Sequence, residues 1–189
     1  MIDAQSFQID DPDYQVSRLE DEHCELLQKL FDRCADYALI VEGEAVSPTA
    51  AQEIFQAVPP GRSPRDKFMY GLLDRQGSIV GLLEGMRHYP DETVWWIGLL
   101  LLAPEVRGRG LGRKLVHSFC EYVRSEQGTS IMLGVVEENK SAYHFWQRQG
   151  FERVRQTEPR PFGRKVQVVY VMRKAVTDDS LTTQTSTAN

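Results

Sequence analysis

Residues 100–114 read Leu-Leu-Leu-Ala-Pro-Glu-Val-Arg-Gly-Arg-Gly-Leu-Gly-Arg-Lys. The end of an apolar strand runs here into a turn with glycines at 108, 110 and 112 and basic residues at 107, 109, 113 and 114. Glycines let backbone amides converge without side-chain obstruction, and the helix that starts at the turn adds its positive dipole end. Such a turn suits a diphosphate, with Arg107, Arg109, Arg113 and Lys114 as charge-assisted partners. The same residues also read as a glycine-rich strand-to-helix turn with solvated arginines. Two other phosphate motifs fit less well. A P-loop needs Ser or Thr after its lysine, and Leu115 follows Lys114. A dinucleotide fingerprint needs a third glycine beyond Gly112 and opens a parallel unit, whereas this turn follows a meander.

Outward from the turn, period and punctuation set the element order. The strand before it, 94–102, is apolar on both faces and reads as central in a sheet. Residues 68–73 and 78–89 form a hairpin around Asp74-Arg75-Gln76-Gly77. Upstream come a strand at 14–19, Asp21 as a cap, and a helix with the stripe Leu26, Leu27, Leu30, Phe31, Cys34, Ala35 and Ala38. Ser47-Pro48 starts a shorter helix to about Ala57, and Pro59, Pro60, Gly61 and Pro64 break the chain. Downstream of the turn lie a helix packed through Leu115, Val116, Phe119, Cys120 and Val123, a strand at 131–136, and a helix at 140–149 that Gly150 stops. Strands at 151–156 and 166–174 flank a loop with Pro159, Pro161 and Gly163. The order predicts a mixed α/β sheet without internal repeats. The Thr-, Ser- and Asp-rich end reads as a floppy tail.

With 189 residues, 41% hydrophobic and 26% charged, the chain fits one soluble domain and excludes a disordered, fibrous or membrane class. Its longest near-apolar run, 94–104, is too short to span a bilayer. The net charge of −5 hides an asymmetry: residues 1–60 hold 13 acidic and 3 basic side chains, the remaining 129 hold 19 basic and 14 acidic. The acidic start, with no basic residue before Arg18, is unlike a secretory or organellar signal. Cys24, Cys34 and Cys120 make no CxxC pair, so neither a disulfide framework nor a metal site is expected, and a reducing cytoplasm is the natural setting.

Arg107-x-x-Gly110-x-Gly112 after an apolar strand resembles the coenzyme A pyrophosphate signature of the GNAT N-acetyltransferases. The block Asn139-x-x-Ala142-x-x-Phe145-Trp146-x-x-x-Gly150-Phe151 resembles the later helix motif of that family, in its order and at its spacing. The resemblance implies the acyl-CoA N-acyltransferase fold, a single-domain mixed, mostly antiparallel central sheet flanked by helices. The domain would run over 14–175, with an N-terminal extension at 1–13 and a flexible tail at 176–189. It also implies acetyl-CoA as co-substrate, no metal, and direct acetyl transfer to a primary amine of a small molecule or peptide. By the same resemblance Leu100, Leu101 and Leu102 pair with pantetheine as an extra strand would. The turn from Gly108 through Arg109, Gly110, Leu111 and Gly112 to Arg113 holds the pyrophosphate, with Arg107, Arg109 and Lys114 reaching other oxygens. Asn139 bonds the pantetheine arm, and Ala142 and Phe145 pack beside it.

Many family members have a tyrosine acid where Trp146 stands here. Tyr143, one helical turn earlier, is expected to take that role, since an indole N–H donates a hydrogen bond but is not a useful acid. The strand carboxylate that serves as base also lacks a match, because the strand centre reads Trp95-Trp96-Ile97-Gly98; Glu84 on the neighbouring strand is the candidate. Glu42 and Glu44 between the first helices, with Arg160, Phe162, Arg164 and Lys165 in the last loop, suggest a cationic or amine-bearing acceptor. Two rivals are a coenzyme A-binding protein of this fold without transferase activity, and a nucleic-acid binder using the basic stretch 148–174. The second lacks a recognisable motif, and the acidic first third would repel phosphates. A membrane partner is not expected, and either a monomer or a homodimer is compatible with the sequence.

Overall fold

A computed structural model describes residues 7–177 of the chain. Seven strands form one sheet in the order β1-β2-β3-β4-β5-β9-β6. They are β1 (Tyr14–Arg18), β2 (Lys67–Asp74), β3 (Ile79–Met86), β4 (Val94–Leu102), β5 (Ser130–Val136), β6 (Glu152–Gln156) and β9 (Val169–Ala175). Two short strands, β7 (Arg160–Phe162) and β8 (Lys165–Gln167), make a separate ribbon. Every pairing in the large sheet is antiparallel except β4 with β5. This is the expected mixed, mostly antiparallel sheet flanked by helices.

Every residue of β3 is buried, as an apolar central strand covered on both faces must be. On one face, Phe68, Tyr70 and Trp95 meet Phe119 and Tyr122 of α4 (Leu111–Ser125) through ring contacts of 5.2 to 6.1 Å. The opposite face is covered by α1 (Cys24–Arg33), α2 (Ala35–Val41) and α3 (Ala50–Gln56); Val41 packs there on Val136 and Val169. The last helix, α5 (Lys140–Arg148), meets α4 where Phe145 approaches Gly112.

The expected single first helix is two helices. The break falls at Cys34, whose Sγ donates to the Leu102 carbonyl at 3.4 Å, while the neighbouring Arg33 guanidinium donates to the Ile79 carbonyl and to Glu105. Asp21 is not the cap but opens a 3-10 turn, Asp21–His23, which Glu20 caps, its backbone N–H donating to His23 Nδ1 at 3.0 Å; α1 starts after His23. The expected last strand divides at Val168. There Gln167 turns inward and its amide donates to the carbonyls of Ile40 and Val41 at 2.9 and 3.1 Å, tying β8 to the end of α2. The packed core also reaches past 14–175: Phe7 and Ile9 are 8% exposed, Val176 is 2% exposed, and Phe7 stacks on Tyr122. Residues 1–6 of the expected extension and 178–189 of the expected tail lie outside the described residues.

One irregularity governs the site. Glu84 pairs with Leu99 and Gly85 with Ile97, so Gly98 is an extra residue in β4, a bulge that bends the strand. The bend carries the β4 backbone across Gly85, where a Cβ would collide with the Trp96 carbonyl oxygen and the Phe68 ring. Gly85→Ala should therefore destabilise the protein by about 3 kcal/mol in urea unfolding, at the upper end of overpacking costs. An unchanged midpoint would show that the bulge does not depend on this close approach.

Candidate functional site

Beyond the bulge β4 and β5 part company. They pair from Val94↔Ser130 to Ile97↔Leu133 and no further, so the β4 edge from Gly98 to Leu102 has no strand partner on that side. A cavity of about 830 Å³ opens there, between Leu100, Leu101 and Leu102, the turn at Gly108, Gly110, Leu111, Gly112 and Arg113, and Asn139, Ala142, Phe145 and Arg148. A second cavity of about 420 Å³ lies beyond it, walled by Tyr89, Trp96, Gly98, Val136, Arg155, Thr157, Arg160 and Phe162. Tyr37, Leu100, Asn139, Ala142 and Trp146 line both, so the two meet at the splay. Both volumes lie in the range of small-ligand sites.

The turn has the geometry of an anion cradle. Gly108 and Gly110 stand at φ +74° and +80°, where a side chain would strain the backbone, and Gly110 is the N-cap of α4. The first amides of α4 have no partner within the helix and face the cavity end of the turn. The cations divide differently from the sequence expectation. Arg107 lines the cavity, but both its terminal nitrogens bind Asp36, one at 3.1 Å, and its Nε donates to the Leu102 carbonyl at 2.7 Å. That pairing holds the Asp36 carboxyl below the usual carboxylate range. Lys114 is turned to the Asp10 carbonyl and Asp11 Oδ2, at 3.0 and 2.9 Å, and is not part of the cavity wall. Arg109 is not on the wall either. Arg113 and Arg148 are, and neither has an ion-pair partner among the described residues. Arg148 escaped the sequence reading because it lies forty residues from the turn and α5 alone brings it there.

Asn139 caps α5: its Oδ1 accepts from the Ala142 amide at 3.1 Å and the Ser141 hydroxyl at 3.0 Å. That use leaves the side-chain Nδ2 hydrogens for a ligand. The Phe145 ring packs between Gly112 and Trp146.

The two residues expected to move protons are placed unequally. Glu84 is 8% exposed and ion-paired with Lys67, whose Nζ also donates to the Ala57 carbonyl at 2.8 Å. Burial raises the Glu84 pKa, with Lys67 opposing. Its carboxylate lies just behind the cavity wall: a Cβ on Gly98 would fall 2.5 Å from Glu84 Oε2. Tyr143 lines neither cavity; its ring contacts Tyr170 at 5.4 Å and its hydroxyl accepts from Gln147 at 3.5 Å. The phenol at the junction is Tyr37. Its hydroxyl has no hydrogen-bond partner among the described residues, and burial, then the charges of Glu42 and Glu84, push its pKa up to about 12. It lies outside the apolar stripe of the first helix, so only the tertiary structure reveals it. Glu42 and Glu44 line neither cavity, and Glu44 pairs with Arg164 at 3.2 Å.

Among the described residues no helix is long and apolar enough to cross a membrane, and no group of three metal-ligating side chains converges.

Residues 25–151 match the model of the acetyltransferase (GNAT) family. Among curated proteins, mycothiol acetyltransferase of Rhodococcus jostii is 38% identical over 63 residues, 33% of this chain and 21% of that protein. An uncharacterized N-acetyltransferase of Methanocaldococcus jannaschii is 38% identical over 53 residues, 28% of this chain and 24% of that protein. The matched stretches thus span about a fifth to a quarter of these relatives. Among solved structures, an acetyltransferase of Thermus thermophilus superposes with a TM-score of 0.70 at 21% identity, over 86% of this chain and 97% of that one. Spermidine N-acetyltransferase of Vibrio cholerae, crystallised with CoA and spermine, gives 0.67 at 19% identity, over 87% and 96%.

The cap at Asn139 is testable by itself. Asn139→Ala should cost about 1 kcal/mol in urea unfolding and Asn139→Asp should retain most of that, since aspartate also caps. Equal stability of the wild type and the alanine variant would contradict the cap.

Proposed function

Because the chain belongs to the acetyltransferase (GNAT) family, we propose that it moves an acetyl group from acetyl-CoA directly to a primary amine of a small molecule or peptide. The observation that carries this reading is the splay, where a cavity with an anion cradle meets a second cavity across the free edge of β4. In this reading the larger cavity takes coenzyme A. The amides from Gly108 to Arg113 and the side chains of Arg113 and Arg148 hold the phosphates. The edge formed by Leu100, Leu101 and Leu102 pairs with the pantetheine arm, Asn139 Nδ2 donates to it, and Phe145 and Ala142 pack beside it. Arg107 acts through the turn, fixing it to α2, and Lys114 anchors the segment at Asp10 and Asp11.

The acceptor enters from the smaller cavity, as an ammonium that must lose a proton before it attacks, because an amine of pKa about 10.4 is protonated near neutrality. Glu84 takes that proton, relayed around Gly98. A backbone amide of β4 near Leu101 or Leu102 donates to the oxygen of the thioester carbonyl as charge builds there. The departing thiolate takes a proton from Tyr37, which stays protonated throughout the working pH range and lines both cavities. The acid role expected of Tyr143 passes to Tyr37 on this geometry. Trp146 in the family's tyrosine position favours a second reading, a coenzyme A-binding protein without transferase activity.

Thiol release from acetyl-CoA separates the two readings when peptides, polyamines, aminoglycosides and amino acids are offered. Amine-dependent release is expected; stabilisation by coenzyme A with no release from any amine would leave only the binding protein. In the same assay Tyr37→Phe should lower kcat by about 100-fold, the usual scale of a lost general acid, and Tyr143→Phe by much less. The reverse order would return the role to Tyr143.

The base has its own signature. Glu84 must be ionised to act, so kcat/KM should rise with pH through its pKa, and burial places that rise above the ordinary glutamate range. Glu84→Gln should abolish the rise along with most of the activity. A rise that persisted in the variant would assign the base elsewhere.

A further inference from the structure

The smaller cavity specifies more than an amine. Its wall carries five aromatic side chains, Tyr37, Tyr89, Trp96, Trp146 and Phe162, and two charged ones, Arg155 and Arg160; none of its wall residues is acidic. Neither arginine has an ion-pair partner among the described residues. Glu44 and Glu138 are paired with Arg164 and Lys165 of the β7–β8 ribbon, and Glu152 and Glu158, the acidic residues nearest the two arginines in sequence, are exposed and line neither cavity.

Arg155 reaches this wall through an irregularity in β6. Arg153 pairs with Met172 and Arg155 with Val171, so Val154 is an extra residue in the strand. In a regular strand residues two apart share a face. The bulge separates them: Arg153 lies over the Tyr170 ring at 4.8 Å, and Arg155 joins Val169 and Val171 on the cavity wall. Arg160 comes from β7, where it lies over the Phe162 ring at 4.9 Å, so the aromatic holds the guanidinium beside the cavity.

Resting on the acetyltransferase reading, we propose that the acceptor is a small amine that also carries a carboxylate, with an apolar or aromatic body, as in a hydrophobic α-amino acid. Its carboxylate faces Arg155 and Arg160, its body lies among the aromatic rings, and its amine points to Gly98, behind which Glu84 supplies the negative charge. The proposal replaces the cationic acceptor expected from Glu42 and Glu44, since neither lines the cavity. An acceptor with two or more positive charges would meet two arginines and no carboxylate on the wall.

Matched pairs test this. Thiol release from acetyl-CoA is compared for L-phenylalanine against L-phenylalaninamide, L-methionine against L-methioninamide, and spermidine. The free acids should exceed their amides at least about 10-fold in kcat/KM, and Arg155→Gln or Arg160→Gln should bring that ratio close to one, the scale of a lost charge-assisted hydrogen bond. Amides or spermidine matching the free acids, or a ratio unmoved in both variants, would overturn the proposal. Thermal stabilisation of each variant by coenzyme A reports that it is folded. Titration of N-acetyl-L-phenylalanine and its amide into the coenzyme A-bound protein reads the same preference without turnover. If no amine releases thiol, the transferase reading falls. Arginine-dependent preference for the acid in the titration then still supports the anion site, and equal binding of acid and amide overturns it.

Discussion

The site depends on a single extra residue. Gly98 has no opposite number in β3, and the carboxylate of Glu84 occupies the space where a side chain at 98 would lie. Below the bulge β4 runs parallel to β5; above it β4 follows β3 and leaves β5. The result is a free strand edge in the middle of a sheet, an arrangement that otherwise invites unwanted pairing. Here the edge lines the two cavities instead. The Glu84–Lys67 pair, with side chains 10% and 8% exposed, fills the bulge from one side. Breaking such a buried pair by removing one partner costs about 3–5 kcal/mol, so the group read as a base is also built into the sheet.

Two further contacts turn the free edge into a site of fixed shape. Arg107 binds Asp36 of α2 and the last carbonyl of β4, and so ties the glycine-rich turn to the strand end and to the helix beside the junction. Asn139 caps α5 with one end of its amide and leaves the other end toward both cavities. The charge asymmetry of the chain takes on a local meaning through these contacts. Asp10, Asp11 and Asp36, from the acidic first third, bind Lys114 and Arg107 and hold the basic turn in place. Two of the thirteen acidic side chains of residues 1–60, Asp11 and Asp36, thus serve as scaffold for the turn.

How far each part could be read in the sequence follows from how local its cause is. The turn and its helix were legible because glycines, helix start and preceding strand are contiguous, and α5 because Gly150 stops it; the Asn139 cap emerged only in the structure. The division of labour among the arginines was not, because Arg107 is claimed by a carboxylate 71 positions away and Arg148 arrives from another helix. Tyr37 falls outside the apolar stripe of its helix and in no motif, and Tyr143 has helical spacing that suggests the site; in the fold Tyr143 packs on Tyr170 instead. The bulge at Val154 leaves no sequence signal, because it appears only when the partner strand fixes the register, whereas Gly98, a lone glycine inside an apolar strand, is a local hint of the other. The Gly98 bulge leaves room for the Glu84 carboxylate, and the Val154 bulge brings Arg155 to the wall of the smaller cavity.

If acetyl-CoA lies along the free edge of β4, its binding must protect the amides of that edge. Amide hydrogen exchange with and without acetyl-CoA tests this directly. New protection is expected chiefly at Gly98–Leu102 and in the turn from Gly108 to Arg113, and more weakly in β5 beyond Leu133. Binding that left those two segments unchanged, or that protected another part of the sheet instead, would contradict it.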